Sequence, residues 1–327
     1  MTTLYPLKFD PIFKYRLWGG DKIKKLLSKN TLQNQIGESW EISDVNGDET
    51  KVSSGALKGL TLKKLIQIYK EDFVGKKVYH AFGDTFPLLI KFIDAQLPLS
   101  IQVHPGDNIA KQRHGSFGKN EMWYIMDTDP GAELIVGFKK ETTPQEYEQL
   151  LKDGKILDIL HVEAIKSGDV FYIPTGRVHA IGAGVLLAEI QQSSDITYRI
   201  FDYNRIDAST GKERELHNDL ASDVIDYTAH STYKSSYHQK ENEINTLVHS
   251  PYFKTNFLKI SETLTRDYSS IDSFIIYLCV GGFVELKWEN HQYTLQKGET
   301  ILLPAVINSI VIISTQEKAS EIIEIYI

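Results

Sequence analysis

The chain has 327 residues, 42% of them hydrophobic, enough to bury two cores rather than one. Its 43 acidic against 36 basic side chains leave a formal charge of −7, which argues against non-specific binding to nucleic acid or an anionic membrane, because both need a basic face. A single cysteine excludes an internal disulfide and fits a reducing, cytoplasmic setting, Met1 to Pro6 show no secretory leader, and the longest apolar run, Phe274 to Val280, is too short to span a bilayer.

Seventeen Tyr and fourteen Phe among Ile, Val and Thr runs favour strands over helices. The N-terminal region mixes loops with short helices. Residues 21–27 place Ile23, Leu26 and Leu27 at helical spacing, and residues 61–69 repeat the pattern behind Thr61 as N-cap. Residues 86–93 read as a buried strand leading into Gln102-Val103-His104. Residues two apart on a strand share a face, so Gln102 and His104 reach one point while Val103 packs behind them. Glu121 opens an apolar run to Met126 that reads as the next long strand. In Thr143-Pro144-Gln145-Glu146 the N-cap, N1 and N3 residues of a capping box precede Tyr147, Leu150 and Leu151. Gly168 to Pro174 forms a further strand, and a Pro-x-Gly turn then delivers His179.

Residues 215–227 read as helix, and the polar stretch 228–243 reads as a linker between a unit spanning 1–242 and another spanning 243–327. Beyond it, short strands at 253–260, 273–280, 283–288, 292–295, 300–303, 309–314 and 321–327 suggest a β-sandwich or jelly-roll barrel. Gly168 to Pro174 aligns with Gly298 to Pro304, a faint internal repeat. Five residues past Pro304 stands Ser309, where the first copy has His179, so the second unit reads as the same architecture without a metal.

Two imidazoles and a carboxylate, at the spacing expected of adjacent antiparallel strands, suit Zn²⁺ with an open coordination position, and iron or manganese also accept that set. Gln102 alone would be an ordinary polar strand residue. His80, His114, His161, His217, His230 and His238 read as structural or surface residues, Cys279 as core, and Trp18-Gly19-Gly20 as a turn without a chemical role. Glu189 lies on the strand after His179, within reach of the metal cavity, and Arg199 offers a planar fork for oxyanions.

Four stretches carry a resemblance in fixed order: Ser100-Ile101-Gln102-Val103-His104-Pro105, Lys119 to Tyr124, Pro174 to His179, and Glu189 to Arg199. They resemble motifs of the type I mannose-6-phosphate isomerase family of the cupin superfamily, in its short bacterial form. Asn120 departs from the Pro or Thr found in many members. The resemblance implies a mainly β fold with two jelly-roll, cupin-like β-barrel domains and a few short helices added to the N-terminal part. It implies one Zn²⁺ per chain, bound by Gln102, His104, Glu121 and His179. It implies Arg199 as the catalytic arginine, with Lys119, Asp195 and Glu189 lining the pocket. The implied reaction interconverts mannose 6-phosphate and fructose 6-phosphate, so the partner is a small sugar phosphate.

The expected route is a cis-enediol, with Glu189 as base and Lys119 as acid on the sugar oxygens. Lys119, Lys91, Arg205 and Arg199 are the candidates for holding phosphate. Three alternatives share these residues: an isomerase of another phosphosugar, a metal-dependent cupin oxygenase, and a non-catalytic sugar-binding module.

Overall fold

The computed structural model describes residues 3–327. Alternating inward and outward side chains build four main antiparallel sheets, two in each half of the chain. In the first half, seven strands lie in the order Lys234–Ser235, Val170–Ile173, Glu121–Thr128, Val185–Gln192, Leu88–Ala95, Ile12–Gly20 and Ile36–Ile42. A five-stranded sheet faces them, in the order Leu160–Ala164, Glu133–Phe138, His179–Ile181, Ile101–Val103 and Tyr198–Phe201. Ile93, Trp123, Phe171 and Leu187 of the larger sheet pack against Leu134, Val136 and Ile181 of the smaller one.

The second half repeats this plan. Ile275–Gly281, Thr300–Leu303, Ser320–Tyr326 and their neighbours pack through Tyr277, Ile301 and Ile322 onto Val284, Leu286 and Ile312 of a four-stranded sheet. The two halves then meet back to back. Ile90, Phe92, Tyr124 and Ala188 share one core with Phe257, Ile276, Leu302 and Ile323. The chain is mainly β, and among the described residues no helix is long and apolar enough to cross a membrane.

Strand register makes the internal repeat concrete. Glu121 pairs with Ile173 and Met122 with Tyr172, while Ile275 pairs with Leu303 and Ile276 with Leu302. Aligning Gly168 with Gly298 therefore places Ile275 where the first half has Glu121, and Ser309 where it has His179.

The helices behind Thr61 and Thr143 form as expected, each hydroxyl accepting from the backbone N–H three residues on, at 3.3 and 3.1 Å. The expected helix at 215–227 shrinks to Asn218–Ser222. Its first turn is lost because residues 215–217 run alongside Arg199: His217 N–H donates to Arg199 O (2.7 Å), and Arg199 N–H donates to His217 Nδ1 (3.1 Å). Within 228–243, Lys234–Ser235 pairs with Val170–Phe171, and buried Tyr233 hydrogen-bonds the Phe138 backbone. That stretch is packed onto the first half despite lacking an apolar period.

Candidate metal centre and active-site cavity

Three strands of the smaller sheet bring functional side chains together by direct register. Gln102 lies between His179 on one neighbour and Arg199 on the other. His104 follows two residues after Gln102, and Val103 turns away into a buried cluster, as strand alternation requires. Glu121 comes from elsewhere: it begins a strand of the opposing seven-stranded sheet. The donor set thus forms across the gap between two facing sheets, rather than along adjacent strands of one sheet as the sequence spacing suggests.

His104, Glu121 and His179 are all buried, with ligand atoms within 4.8 Å of one another. Glu121 Oε1 is 3.3 Å from His104 Nε2, and Glu121 Oε2 is 3.7 Å from His179 Nε2. His104 Nδ1 donates to Ile196 O (2.9 Å), and His179 Nδ1 donates to Arg177 O (2.8 Å). A carbonyl oxygen only accepts, so both imidazoles carry their proton on Nδ1 and aim the Nε2 lone pair at the cluster. Burial, reinforced by the Lys119 charge, lowers His104 to about 3, and burial lowers His179, so both rings are neutral. Glu121 is held well below the usual carboxylate range: burial opposes its charge, but the Lys119 ammonium beside it outweighs that penalty.

Glu121 Oε2 is buried without a hydrogen-bond partner among the described residues. An orphaned carboxylate oxygen beside two oriented imidazole lone pairs fits a divalent metal bound through two nitrogens and an oxygen. Gln102 directs its amide Nε2 to His179 Nε2 (3.3 Å). Turning that carboxamide over would present Oε1 to the same point.

Above this cluster opens a cavity of about 420 Å³, whose lining includes Gln102, Lys119, Glu189, Arg199 and Asp195. One wall is a cross-strand ladder on the seven-stranded sheet, in which Trp123, Glu189, Lys91 and Trp40 are successive register partners. Glu189 accepts from Trp123 Nε1 (2.7 Å) and lies 2.6 Å from Lys91 Nζ. Its carboxyl is pushed up, first by burial and then by the Glu121 charge. Burial alone would discharge Lys91, yet Glu189, Glu38 and Glu121 hold its pKa above the ordinary value. Glu38 in turn is lowered to about 2: burial opposes its ionisation, but Lys91 and Arg16 prevail. Lys119 Nζ hydrogen-bonds His104 Nε2 (3.1 Å) and contacts Glu121 Oε1.

Among the expected site residues, Gln102, His104, Glu121, His179, Lys119 and Glu189 are therefore gathered at one place. Arg199 lines the same cavity and donates from Nη1 to Glu215 O (2.8 Å). Asp195 is exposed at the rim and, among the described residues, has no side-chain partner. Of the four phosphate candidates, Arg205 is turned aside, held by Asp202 and by Pro98 O outside the cavity lining, while Arg214 and Arg16 line it instead. Trp18, read from sequence as a plain turn residue, is also in the wall. The signal for Arg16, Trp18 and Glu38 was absent because their strands, Ile12–Gly20 and Ile36–Ile42, carry no motif and join the ladder only through the sheet.

A cupin-type β fold with a His–His–Glu donor set beneath a cavity of paired acids and bases defines an enzyme. Residues 7–148 match the family model for the phosphomannose isomerase type I catalytic domain, and residues 243–320 match that for the mannose-6-phosphate isomerase cupin domain. The chain is 35% identical over 306 residues to the mannose-6-phosphate isomerase ManA of Bacillus subtilis, covering 92% of this chain and 94% of that one. It is 33% identical over 305 residues to the mannose-6-phosphate isomerase of Streptococcus mutans, covering 93% and 94%. A crystal structure of the mannose 6-phosphate isomerase from Bacillus subtilis superposes with a TM-score of 0.88 at 32% identity, covering 98% of this chain and 99% of that one. The chain belongs to the type I phosphomannose isomerase family and is an isomerase.

Proposed function

We propose that this enzyme interconverts mannose 6-phosphate and fructose 6-phosphate with one Zn²⁺ per chain, by way of a cis-enediolate. The observation that carries the reading is the pairing of a buried His104–Glu121–His179 donor set with a cavity holding Glu189 and Arg199. His104, Glu121, His179 and, with its carboxamide turned, Gln102 would hold the metal. When bound, Zn²⁺ supplies Lewis acidity that eases the negative charge developing on the sugar oxygens.

The remaining chemistry falls to the chain. Aldose-to-ketose conversion removes the proton from C2 and delivers it to C1. Glu189 is the base: burial and the Glu121 charge raise its proton affinity, and Trp123 and Lys91 fix its position. It takes the C2 proton and returns it to C1 on the same face. Lys119, at the cavity floor, moves the proton between the sugar oxygens. The Arg199 guanidinium offers fixed positive charge to the developing oxyanion, a contribution of about 3 kcal/mol for one such donor. Lys91 is committed to Glu189 and Glu38, whereas Arg16, paired with Glu38, and Arg214, paired with Asp202, present their guanidiniums in the cavity wall and are the cations placed to meet phosphate. The same reading gives catalysis to residues 1–242 and a metal-free supporting role to 243–327, a division favoured by Ile275 and Ser309 at the positions of Glu121 and His179. Buried Cys279 suits a cytoplasmic setting.

The test is turnover of mannose 6-phosphate by purified protein before chelation, after chelation, and after zinc is restored. Activity lost with the metal and regained with zinc is the expected result. A folded, zinc-loaded sample that leaves mannose 6-phosphate unchanged rejects the substrate. Glu189→Gln retaining turnover within a few-fold of wild type rejects the base.

A further inference from the structure

We propose that Asp202 is a positioning residue for phosphate recognition: from the base of the hairpin at 203–216 it fixes the Arg214 guanidinium in the cavity wall, where that guanidinium distinguishes a phosphorylated sugar from its unphosphorylated counterpart. Asp202 directly follows the strand Tyr198–Phe201, which carries Arg199. Tyr203 and Asn204, both with left-handed backbone (φ 56° and 53°), then turn the chain out of the sheet. Ile206–Asp207 pairs with Lys212–Glu213, and the returning arm meets Arg199 again at residues 215–217. Each arm of the hairpin thus brings an arginine back to the buried Asp202 carboxylate. Arg205 ends against Pro98 O, outside the cavity lining, whereas Arg214 is part of that lining.

Arg214 donates from Nε to Asp202 Oδ2 (2.8 Å) and from Nη2 to Asp202 Oδ1 (2.6 Å), a fork that holds a planar group in one orientation. Its Nη1 has no hydrogen-bond partner among the described residues. Other cations of the cavity are more fully engaged. Arg16 gives Nε and Nη2 to Glu38 and Nη1 to Tyr15 O, and Lys91 lies between Glu189 and Glu38. Asp207, the carboxylate that the hairpin itself adds to the lining, accepts from the Ser209 N–H and hydroxyl. Arg199, whose Nε is buried without a partner among the described residues, stands close enough for the Arg214 and Arg205 charges to press on it. Three guanidiniums therefore gather around one buried carboxylate, and the excess positive charge is complementary to a phosphate dianion. An arginine already held in place loses little rotamer freedom when that dianion arrives.

This inference rests on the sugar-phosphate reading above, and its experiment separates the two. Sorbitol 6-phosphate and sorbitol have no carbonyl to isomerise, so calorimetry with each on the zinc-loaded enzyme reports recognition without turnover. Wild type is expected to bind the phosphorylated ligand at least a hundredfold more tightly than sorbitol. Asp202→Asn and Arg214→Gln should each weaken sorbitol 6-phosphate at least tenfold, and the double variant should stay within twofold of Arg214→Gln, because Asp202 acts only through Arg214. In turnover of mannose 6-phosphate the Asp202→Asn loss should appear in KM, with kcat within threefold of wild type. Losses that multiply in the double variant, or a loss confined to kcat, overturn the positioning role. Should Asp202→Asn fail to fold, Arg214→Lys keeps the charge without the fork, and an affinity for sorbitol 6-phosphate equal to wild type refutes the proposal. An Arg214-dependent preference for phosphate in an enzyme that leaves mannose 6-phosphate unchanged rejects the isomerisation alone. Turnover of mannose 6-phosphate with unaltered recognition in all variants rejects the Asp202–Arg214 role alone.

Discussion

Asp94 allows a sharp test of how burial controls this molecule. Its carboxyl lies against Gly20, at the end of the strand that carries Trp18 into the cavity wall, and its Oδ2 accepts from Ile23 N–H at the start of the helix Lys22–Leu26 (3.2 Å). Burial pushes it up to about 6 from an ordinary 3.8, against the pull of the Ile23 and Lys22 N–H groups and the Lys22 ammonium. Between those two values the folded state keeps a proton that the unfolded state has released. Stability contributed by this group must therefore fall as pH rises through the window, and the loss is complete above about pH 7. A displacement of that size amounts to about 3 kcal/mol, roughly half of it between pH 5 and pH 7.

Asp94→Asn removes the titration. The assay is urea unfolding of both proteins from pH 4 to pH 8, taking the difference in unfolding free energy so that other groups cancel. That difference should move by about 2.4 kcal/mol across the range, in favour of the Asn variant at high pH, whatever constant cost the amide brings. A pH-independent difference would show that Asp94 titrates normally and that its burial is not felt. A difference moving toward wild type at high pH would reverse the sign and refute the reasoning outright.

Other perturbations follow from the same contacts. Glu324, fully buried, accepts from Arg266, Tyr268 and Asn256, so Glu324→Gln should cost about 3 kcal/mol in chemical denaturation by leaving a partly buried guanidinium and a buried phenol without their carboxylate; a loss below 1 kcal/mol would refute this. Asp272 accepts from Lys76 and Lys77 N–H (2.7 and 3.1 Å), capping the helix Lys76–Phe82 from the other half of the chain, and Asp272→Ala should lose about 1 kcal/mol in the same assay. Trp123→Phe removes the indole donor to Glu189, so the acid limb of the pH–rate profile for kcat should move to higher pH with little change in KM. An unmoved limb would show that the indole hydrogen bond does not set the basicity of Glu189.

Sequence alone determined the parts governed by local rules. Thr61 and Thr143 cap helices because a hydroxyl and a backbone N–H three residues on need nothing further to meet. Gln102 and His104 share a face because strand geometry has a period of two, and the four ordered motifs carried the family with them. The helix Asp107–His114 leaves no periodic signal in the sequence because it buries only Ala110 and so has no apolar stripe. Apolar periodicity predicts a helix over 215–227 that is longer than the one formed, because it cannot register that Arg199 claims backbone partners in residues 215–217.

What only the tertiary structure decided is where separate strands meet. Motif spacing could not show that Glu121 reaches the histidines from the facing sheet, since sequence separation says nothing of which sheet a strand joins. Nor could it reveal that Arg16 and Glu38 stand beside Lys91 and Glu189, or that Arg205 turns away while Arg214 faces the cavity. Side-chain identity fixes the available chemistry, but pKa values and partners depend on distance and burial. Those are set by long-range packing, which brings residues 16, 38, 91, 121 and 189 together.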